Sequence, residues 1–430
     1  MAARPCYDSR RPSALEKNAM HAPSAREARR WCEDMLPRVS RTFALNIRIL
    51  DGEVRQAVLQ AYLLCRIADT IEDAETGLLD KSTCLREYAT LLDGIAGSPE
   101  GRRDAVRRWQ DRHFAAVDSR APEWQLCRQA ETVFAAWESL PRRLQRPIEI
   151  CVRDMSLGMV DVTARMRLDQ HETLQIESLQ DLESYCHIVA GTVGNMLCEL
   201  FLEESDRLPH ETACRMRSLA ERFGLALQLV NILQDIQVDR RRRVSYLPRQ
   251  VLASFGITSE DLFLPEHRSQ RVAVLARLVT LAVQSCDAAI DFTLLLPRRQ
   301  VRLRLFCLWP LFLALRTLHQ VLAAVRKGGD EQRPRVPRRQ VRRCLLRASI
   351  RVLSNARLRA LYGAERRRVL ESLQDLVREQ GLTGALAPAP TLGGSTLVVR
   401  SRSRRLAGVA PTASDSRTGA VTHASGRGID

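Results

Sequence analysis

Apolar residues recur at intervals of three and four along most of the chain. That is the spacing of one face of an α-helix. The pattern predicts long helices over 53–74, 83–96, 178–202, 211–237, 272–296 and 303–325. Helix breakers fall between them, among them Gly52, Gly97-Ser98-Pro99, Pro122, Pro141, Pro147, Pro209, Pro248, Pro297 and Gly328-Gly329. No run of alternating strand residues and no fixed-period repeat stands out. The expected architecture is all-α, a single large helical domain over 25–380. Residues 1–24 are polar and basic and read as a disordered lead. Residues 381–430 hold eight of the 21 glycines and no aromatic residue, which reads as a flexible tail that buries too little to offset its ordering entropy.

Composition narrows the class. Apolar residues make up 45% and charged residues 27% of the 430 residues, which is globular. The longest strongly apolar run, 305–315, is about half of what a bilayer span needs, and no apolar stretch follows the basic N-terminus, so neither a membrane span nor a secretory signal is expected. Twelve cysteines without a C-x-x-C pair read as reduced core thiols, and no H-E-x-x-H suggests zinc. A cytoplasmic protein is expected. Lys and Arg outnumber Asp and Glu by 66 to 50, giving a net charge of +16. Only Lys17, Lys81 and Lys327 are lysines. The arginine excess has a compositional explanation, yet it suits contact with phosphates or an acidic lipid surface.

Two apolar helices carry acidic stripes. Asp69, Glu72 and Asp73 share one face, and Tyr62 and Arg66 extend it. Far along the chain, Gln228, Asn231, Asp235 and Asp239 form a second polar stripe. Clustered carboxylates are costly to bury unless cations neutralise them. Oxygen-only ligands at helical spacing suit Mg²⁺, which is completed by water and substrate phosphate. Two such helices face to face would hold two or three Mg²⁺ around a diphosphate, with the run Arg240 to Arg243 within reach of it. Taken alone, each stripe also reads as a solvated helix face. A third segment places Tyr185, Val189, Thr192 and Met196 on one face. Gly191 and Gly194 interrupt that helix, either for tight helix packing or to leave room for a long apolar chain.

Together these residues resemble the squalene/phytoene synthase family, the head-to-head prenyl diphosphate coupling enzymes. Ser40-Arg41-Thr42-Phe43 is similar to the family's S-R-[ST]-F flap. Tyr62 through Arg66 to Asp69, Glu72 and Asp73 is similar to its first aspartate helix. Tyr185 to Gly194 is similar to its Y-C-x-x-V-A-G-x-V-G signature, and Gln228 to Asp239 followed by Tyr246-Leu247-Pro248 to its second aspartate helix. The resemblance covers about 28–360. Three positions depart from it. Val238 stands where many members have Glu, Gln234 replaces an Arg or Lys, and Arg243 stands where many relatives have Gly.

The resemblance implies an isoprenoid-synthase fold with a central cavity for two prenyl diphosphates. It implies metal ligation by Asp69, Glu72, Asp73, Asp235 and Asp239. Tyr185 joins the four aspartates as catalytic. Substrate contacts fall to Ser40, Arg41, Phe43, Tyr62, Arg66, Val189, Gln228, Asn231 and Arg242. Phe306-Cys307-Leu308-Trp309-Pro310, then Ala314 and Thr317-Leu318, resembles the F-C-x-x-P…A-x-x-T-L helix of squalene-type members. That favours two farnesyl diphosphates as substrates and NADPH as hydride donor, with Phe306 near the cofactor. The runner-up is a phytoene or dehydrosqualene synthase that works without NADPH. Outside this class stand a nucleic-acid-binding protein using the arginine runs at 240–243 and 337–347, and a catalytically dead scaffold of the same fold. The acidic stripes oppose nucleic acid. The expected partners are prenyl diphosphates and, peripherally, an anionic membrane. A monomer is expected.

Overall fold

The computed structural model describes residues 23–382, except 76–77, 94–98, 170–171, 206–207 and 329–332. Most of the expected N-terminal lead, the tail beyond residue 382 and the breakers Gly97, Ser98 and Gly329 lie outside the described residues. The helices run in order as α1 (Ala25–Val39), α2 (Arg41–Ile47), α3 (Gly52–Glu72), α4 (Lys81–Leu92), α5 (Pro99–Phe114), α6 (Pro122–Arg128), α7 (Ala130–Glu138) and α8 (Arg142–Arg165). There follow α9 (Leu179–Cys186), a π-helical turn (His187–Gly191), α10 (Thr192–Glu204), α11 (His210–Arg241) and α12 (Arg249–Ala253). The last four are α13 (Arg268–Leu295), α14 (Val301–Lys327), α15 (Arg338–Ser349) and α16 (Asn355–Glu379). The all-α expectation holds, and the six long helices read from periodicity are all present.

Local chemistry explains the helix starts. The Ser24 hydroxyl accepts from the Glu27 amide while the Glu27 carboxylate accepts from the Ser24 amide, a reciprocal cap that opens α1. Ser178 and Asp181 do the same for α9. Asp80 and Ser354 cap α4 and α16. Gly328, with φ of 69°, closes α14 in the left-handed conformation that favours glycine.

Three expectations are corrected. Pro147 does not break a helix. It lies inside α8, whose buried face of Leu144, Ile148, Cys151, Val152 and Met155 outweighs one lost backbone bond. Strands also exist, as three two-residue pieces. β1 (Arg167–Leu168) pairs antiparallel with β2 (Leu174–Gln175), and β2 pairs in parallel with β3 (Val244–Ser245). They are too short for alternation to show. Finally, three helical stretches are long and apolar enough to cross a bilayer: Leu179–Glu204, Pro265–Leu295 and Val301–Lys327. Scattered polar residues hide them from a search for unbroken runs. In this fold the most apolar window of Pro265–Leu295 is 78% buried among its neighbours.

The core is continuous from α1 through α14. Its tightest approach lies between α11 and the segment joining the π turn to α10. A Cβ on Gly224 would sit 2.0 Å from the Ala190 carbonyl oxygen, and one on Gly194 would sit 2.2 Å from that of Ala220. Gly194 and Gly224 serve backbone contact, so the packing explanation holds for them, and with Ala190 they also line the central cavity, so both expectations for the small residues apply. Gly224→Ala is therefore expected to destabilise the protein by about 2 kcal/mol or more, because backbone rather than a flexible side chain must move. Urea unfolding measures this; a loss below about 0.5 kcal/mol would contradict the close approach.

Candidate active site

Helices α3 and α11 line one cavity of about 830 Å³ and traverse it in the same sense. Along α3 the lining changes from Val58 and Ala61 through Tyr62 and Arg66 to Asp69, Glu72 and Asp73. Along α11 it changes from Phe223 and Leu227 through Gln228 and Asn231 to Asp235 and Asp239. Both acidic clusters thus occupy C-terminal helix ends, where the helix dipoles add negative potential. The opposite end of the cavity is apolar, with Leu197, Phe201, Phe292 and Leu313.

Burial and crowding together raise the carboxylate pKa values. Burial, with the neighbouring Asp73 charge and against the pull of Arg66, pushes Asp69 up to about 7. Glu72 is pushed up to about 8 by burial and by Asp69 and Asp73. Asp239 rises to about 7 through burial and the Asp235 charge. Asp73 acts on both Asp235 and Asp239 across the cavity. The group lacks positive charge. Two guanidinium groups supply part of it. Arg242 donates to Asp73 Oδ1 at 2.5 Å and Arg333 donates to Asp235 Oδ2 at 2.8 Å.

These residues fit a divalent cation by chemistry. The donors are all hard oxygens, and the Asp235 carboxylate, which borders the cavity, is held there by the Arg333 guanidinium through both of its oxygens. Among the described residues no three carboxylates converge tightly enough to hold an ion unaided. Each helix would contribute a pair of oxygens, with water and a diphosphate completing the shell.

Most sequence-predicted site residues meet on this wall. Ser40, Phe43, Tyr62, Arg66, Tyr185, Val189, Gln228, Asn231, Arg242 and Phe306 all line the cavity with the five acids. Ser40 caps α2, accepting from the Phe43 amide at 3.2 Å, and the Phe43 ring lies 5.0 Å from that of Tyr62. Arg41 is the exception: it is exposed and outside the cavity lining, because the helical turn of α2 points it away from Phe43. Of the run 240–243, only Arg242 reaches the cavity. Arg240 pairs with Glu260 and lies over Phe263, and Arg243 pairs with Glu172. Arg243 also has a φ of 53°, which explains why glycine suits this position.

The π turn changes one predicted face. Its extra residue shifts the register, so the lining continues from Tyr185 and Val189 to Val193 and Leu197. Thr192 is left out of the lining and donates instead to the Ile188 carbonyl of its own helix at 2.6 Å. Met196 still reaches the cavity.

Some participants were not legible as such. The Tyr246 ring stacks on Tyr185, centroids 4.4 Å apart. The three-stranded sheet sets it there, through the Leu174 amide donating to the Arg243 carbonyl and Gln175 donating to the Leu247 carbonyl. Gln234 donates to the Pro334 carbonyl at 2.6 Å, holding a strap from which Arg333, Arg335 and Val336 line the cavity. The Arg-Pro-Arg sequence carries no signal that marks it off from the other arginine runs.

The Phe306–Pro310 motif has a structural reading. Pro310 lies inside α14 and cannot donate to the Phe306 carbonyl. The Asn46 side chain does so instead, at 3.0 Å. The Phe306 ring packs edge-to-face on Phe201, with centroids 5.7 Å apart, and is 6% exposed. Phe306 thus packs in the core at the cavity wall, and its carbonyl ties α2 to α14.

The sequence profile of squalene/phytoene synthase matches residues 36–340. The chain belongs to the squalene/phytoene synthase family. Squalene synthase of Rattus norvegicus is 30% identical over 311 residues, 69% of this chain and 67% of that one. The Homo sapiens enzyme is 30% identical over 302 residues, 70% of this chain and 65% of that one. Squalene synthase of Schizosaccharomyces pombe is 26% identical over 293 residues, 68% of this chain and 59% of that one. The chain thus matches about three fifths to two thirds of the length of these family members. The solved complex structure of TcSQS with a ligand shares the fold, with a TM-score of 0.61 and 24% identity over 83% of this chain and 99% of that one.

The tie between α2 and α14 generates a test within this family fold. Asn46→Leu is expected to cost about 1–3 kcal/mol by leaving the Phe306 carbonyl unpaired. Adding Pro310→Ala restores a backbone donor and should recover much of that loss. Equal instability of the single and double variants in urea unfolding would refute the tie.

Proposed function

We propose that the protein is a Mg²⁺-dependent prenyltransferase that joins two prenyl diphosphates head to head, 1′ to 1. The preferred substrates are two farnesyl diphosphates, which give presqualene diphosphate and then squalene. The observation that carries this reading is one cavity with carboxylate-bearing ends of two helices at one side and an apolar interior at the other. Membership of the family and likeness to squalene synthases support the substrate choice.

Bound Mg²⁺ would neutralise the acids and the charge that develops on a leaving diphosphate. Arg66 and Arg242 line the same end and can hold diphosphate oxygens. The allylic carbon–oxygen bond of one substrate breaks, and the diphosphate leaves with the electron pair. The 2,3 double bond of the second substrate attacks the resulting cation. Loss of a proton closes the cyclopropane ring of presqualene diphosphate. A second ionisation and rearrangement would leave a cation, and NADPH, when bound, would supply the hydride that quenches it. Phe201, Phe292 and Leu197 keep water from these cations. The apolar surroundings of Tyr185 and Tyr246 hold both phenols protonated, with pKa values raised by burial first and by the Glu72 charge next. The long apolar chains of the substrates and the apolar product also imply working at a bilayer surface.

Asp69→Asn and Asp235→Asn are each expected to lower Mg²⁺-dependent turnover of farnesyl diphosphate at least about a hundredfold. Near-normal turnover in either would overturn the assignment. Mass analysis of the products should find squalene with NADPH, and presqualene diphosphate or a dehydrosqualene without it. Faster conversion of geranylgeranyl diphosphate to phytoene, regardless of NADPH, would overturn the squalene reading.

A further inference from the structure

From Arg333 to Ala364 the chain carries ten arginines and no acidic residue. This stretch begins at the cavity, where Arg333, Arg335 and Val336 form part of the wall, and continues into α15. Arg339, Arg343 and Leu346 share an outward face of the helix, and Ile350 and Leu353 follow in the turn after it, also exposed. The three apolar residues are 63%, 65% and 60% exposed, among the highest values for large apolar side chains here. The opposite face of α15, with Cys344 and Ala348, is buried. Arg338, Arg339, Arg342 and Arg343 form no ion pair among the described residues; by contrast, Arg316 and Arg366, which come from α14 and α16, are paired with Glu365 and Asp287.

A helix and following turn that bury one face in their own protein and expose apolar side chains, flanked by arginines without an ion pair among the described residues, have the composition of an interfacial element. Its positive charge complements an anionic lipid surface, and its apolar trio suits the boundary between headgroups and acyl chains. We infer that α15 and the turn after it are the docking face of this protein for an anionic bilayer, with Leu346, Ile350 and Leu353 entering the interface and the arginines meeting lipid phosphates. The strap at the cavity wall leads directly into this face, so docking would set the cavity beside the bilayer. That last consequence rests on the prenyl diphosphate reading; the docking face itself does not.

Flotation of the full chain with vesicles tests the assignment. Wild type is expected to float with phosphatidylcholine vesicles containing phosphatidylglycerol, and to lose most of that binding in pure phosphatidylcholine or at raised salt. Leu346→Glu with Ile350→Glu, and separately Arg339→Glu with Arg343→Glu, should each lower the bound fraction at least about tenfold. The control Arg108→Glu with Arg120→Glu, exposed elsewhere, should float like wild type. Melting temperature reports folding, since all the altered side chains lie outside the core. Turnover of farnesyl diphosphate in detergent micelles should persist in the α15 variants, which separates failure of the docking face from failure of the proposed activity. Undiminished flotation of either α15 variant would overturn the inference. So would absence of vesicle binding by wild type, whether the face then proves to join two copies in sedimentation or to retain RNA.

Discussion

Carboxylates gathered at two helix C-termini repel one another and the helix dipoles behind them, and the surrounding structure must hold them together against that repulsion. Burial first, with the neighbouring carboxylates adding to it, pushes Asp69, Glu72 and Asp239 up into or near the neutral range. Arg242 and Arg333 offset part of the repulsion from opposite sides, one from the end of α11 and one from the strap after α14. Such an arrangement is poorly stable as a surface and well suited to attracting cations and, through them, a diphosphate. It persists because α3 and α11 are fixed elsewhere: α3 by an almost wholly apolar back, α11 by backbone contact at Gly224 and Gly194.

The same anchoring gives the cavity its depth. Helix α11 cannot slide against α10 without driving Gly224 into the Ala190 carbonyl, so the spacing between the acidic end and the apolar end is set by close-packed backbone. On the opposite wall, Pro310 removes a backbone donor and Asn46 supplies one, which couples the short α2, with Ser40 and Phe43, to the long α14. The π turn rotates Val193 and Leu197 toward the cavity and turns Thr192 away. Each device places an irregularity of backbone beside the cavity, where a regular helix would have presented a different side chain.

Charge is distributed unevenly between inside and outside. The cavity concentrates acids, while residues 333–364 carry ten arginines and no acid. A net charge of +16 conceals this separation, which is why composition alone pointed in two directions, toward nucleic acid and toward phosphate-bearing lipids and substrates.

The helical class, the six long helices and both acidic stripes were legible in the sequence, because helix periodicity is local and a residue's face follows from counting. The family motifs then joined stripes that lie 166 positions apart, as Asp69 and Asp235 do. Tertiary structure decided the rest. Only packing against α11 could show that the glycines serve backbone contact. Only the register shift of the π turn could exchange Thr192 for Val193. The role of Phe306 depended on a carbonyl whose partner, Asn46, lies 260 residues away. Arg333 looks like any other arginine until the strap brings it to Asp235, 98 residues distant. These are contacts between segments remote in sequence, and local spacing carries no information about which remote groups will meet.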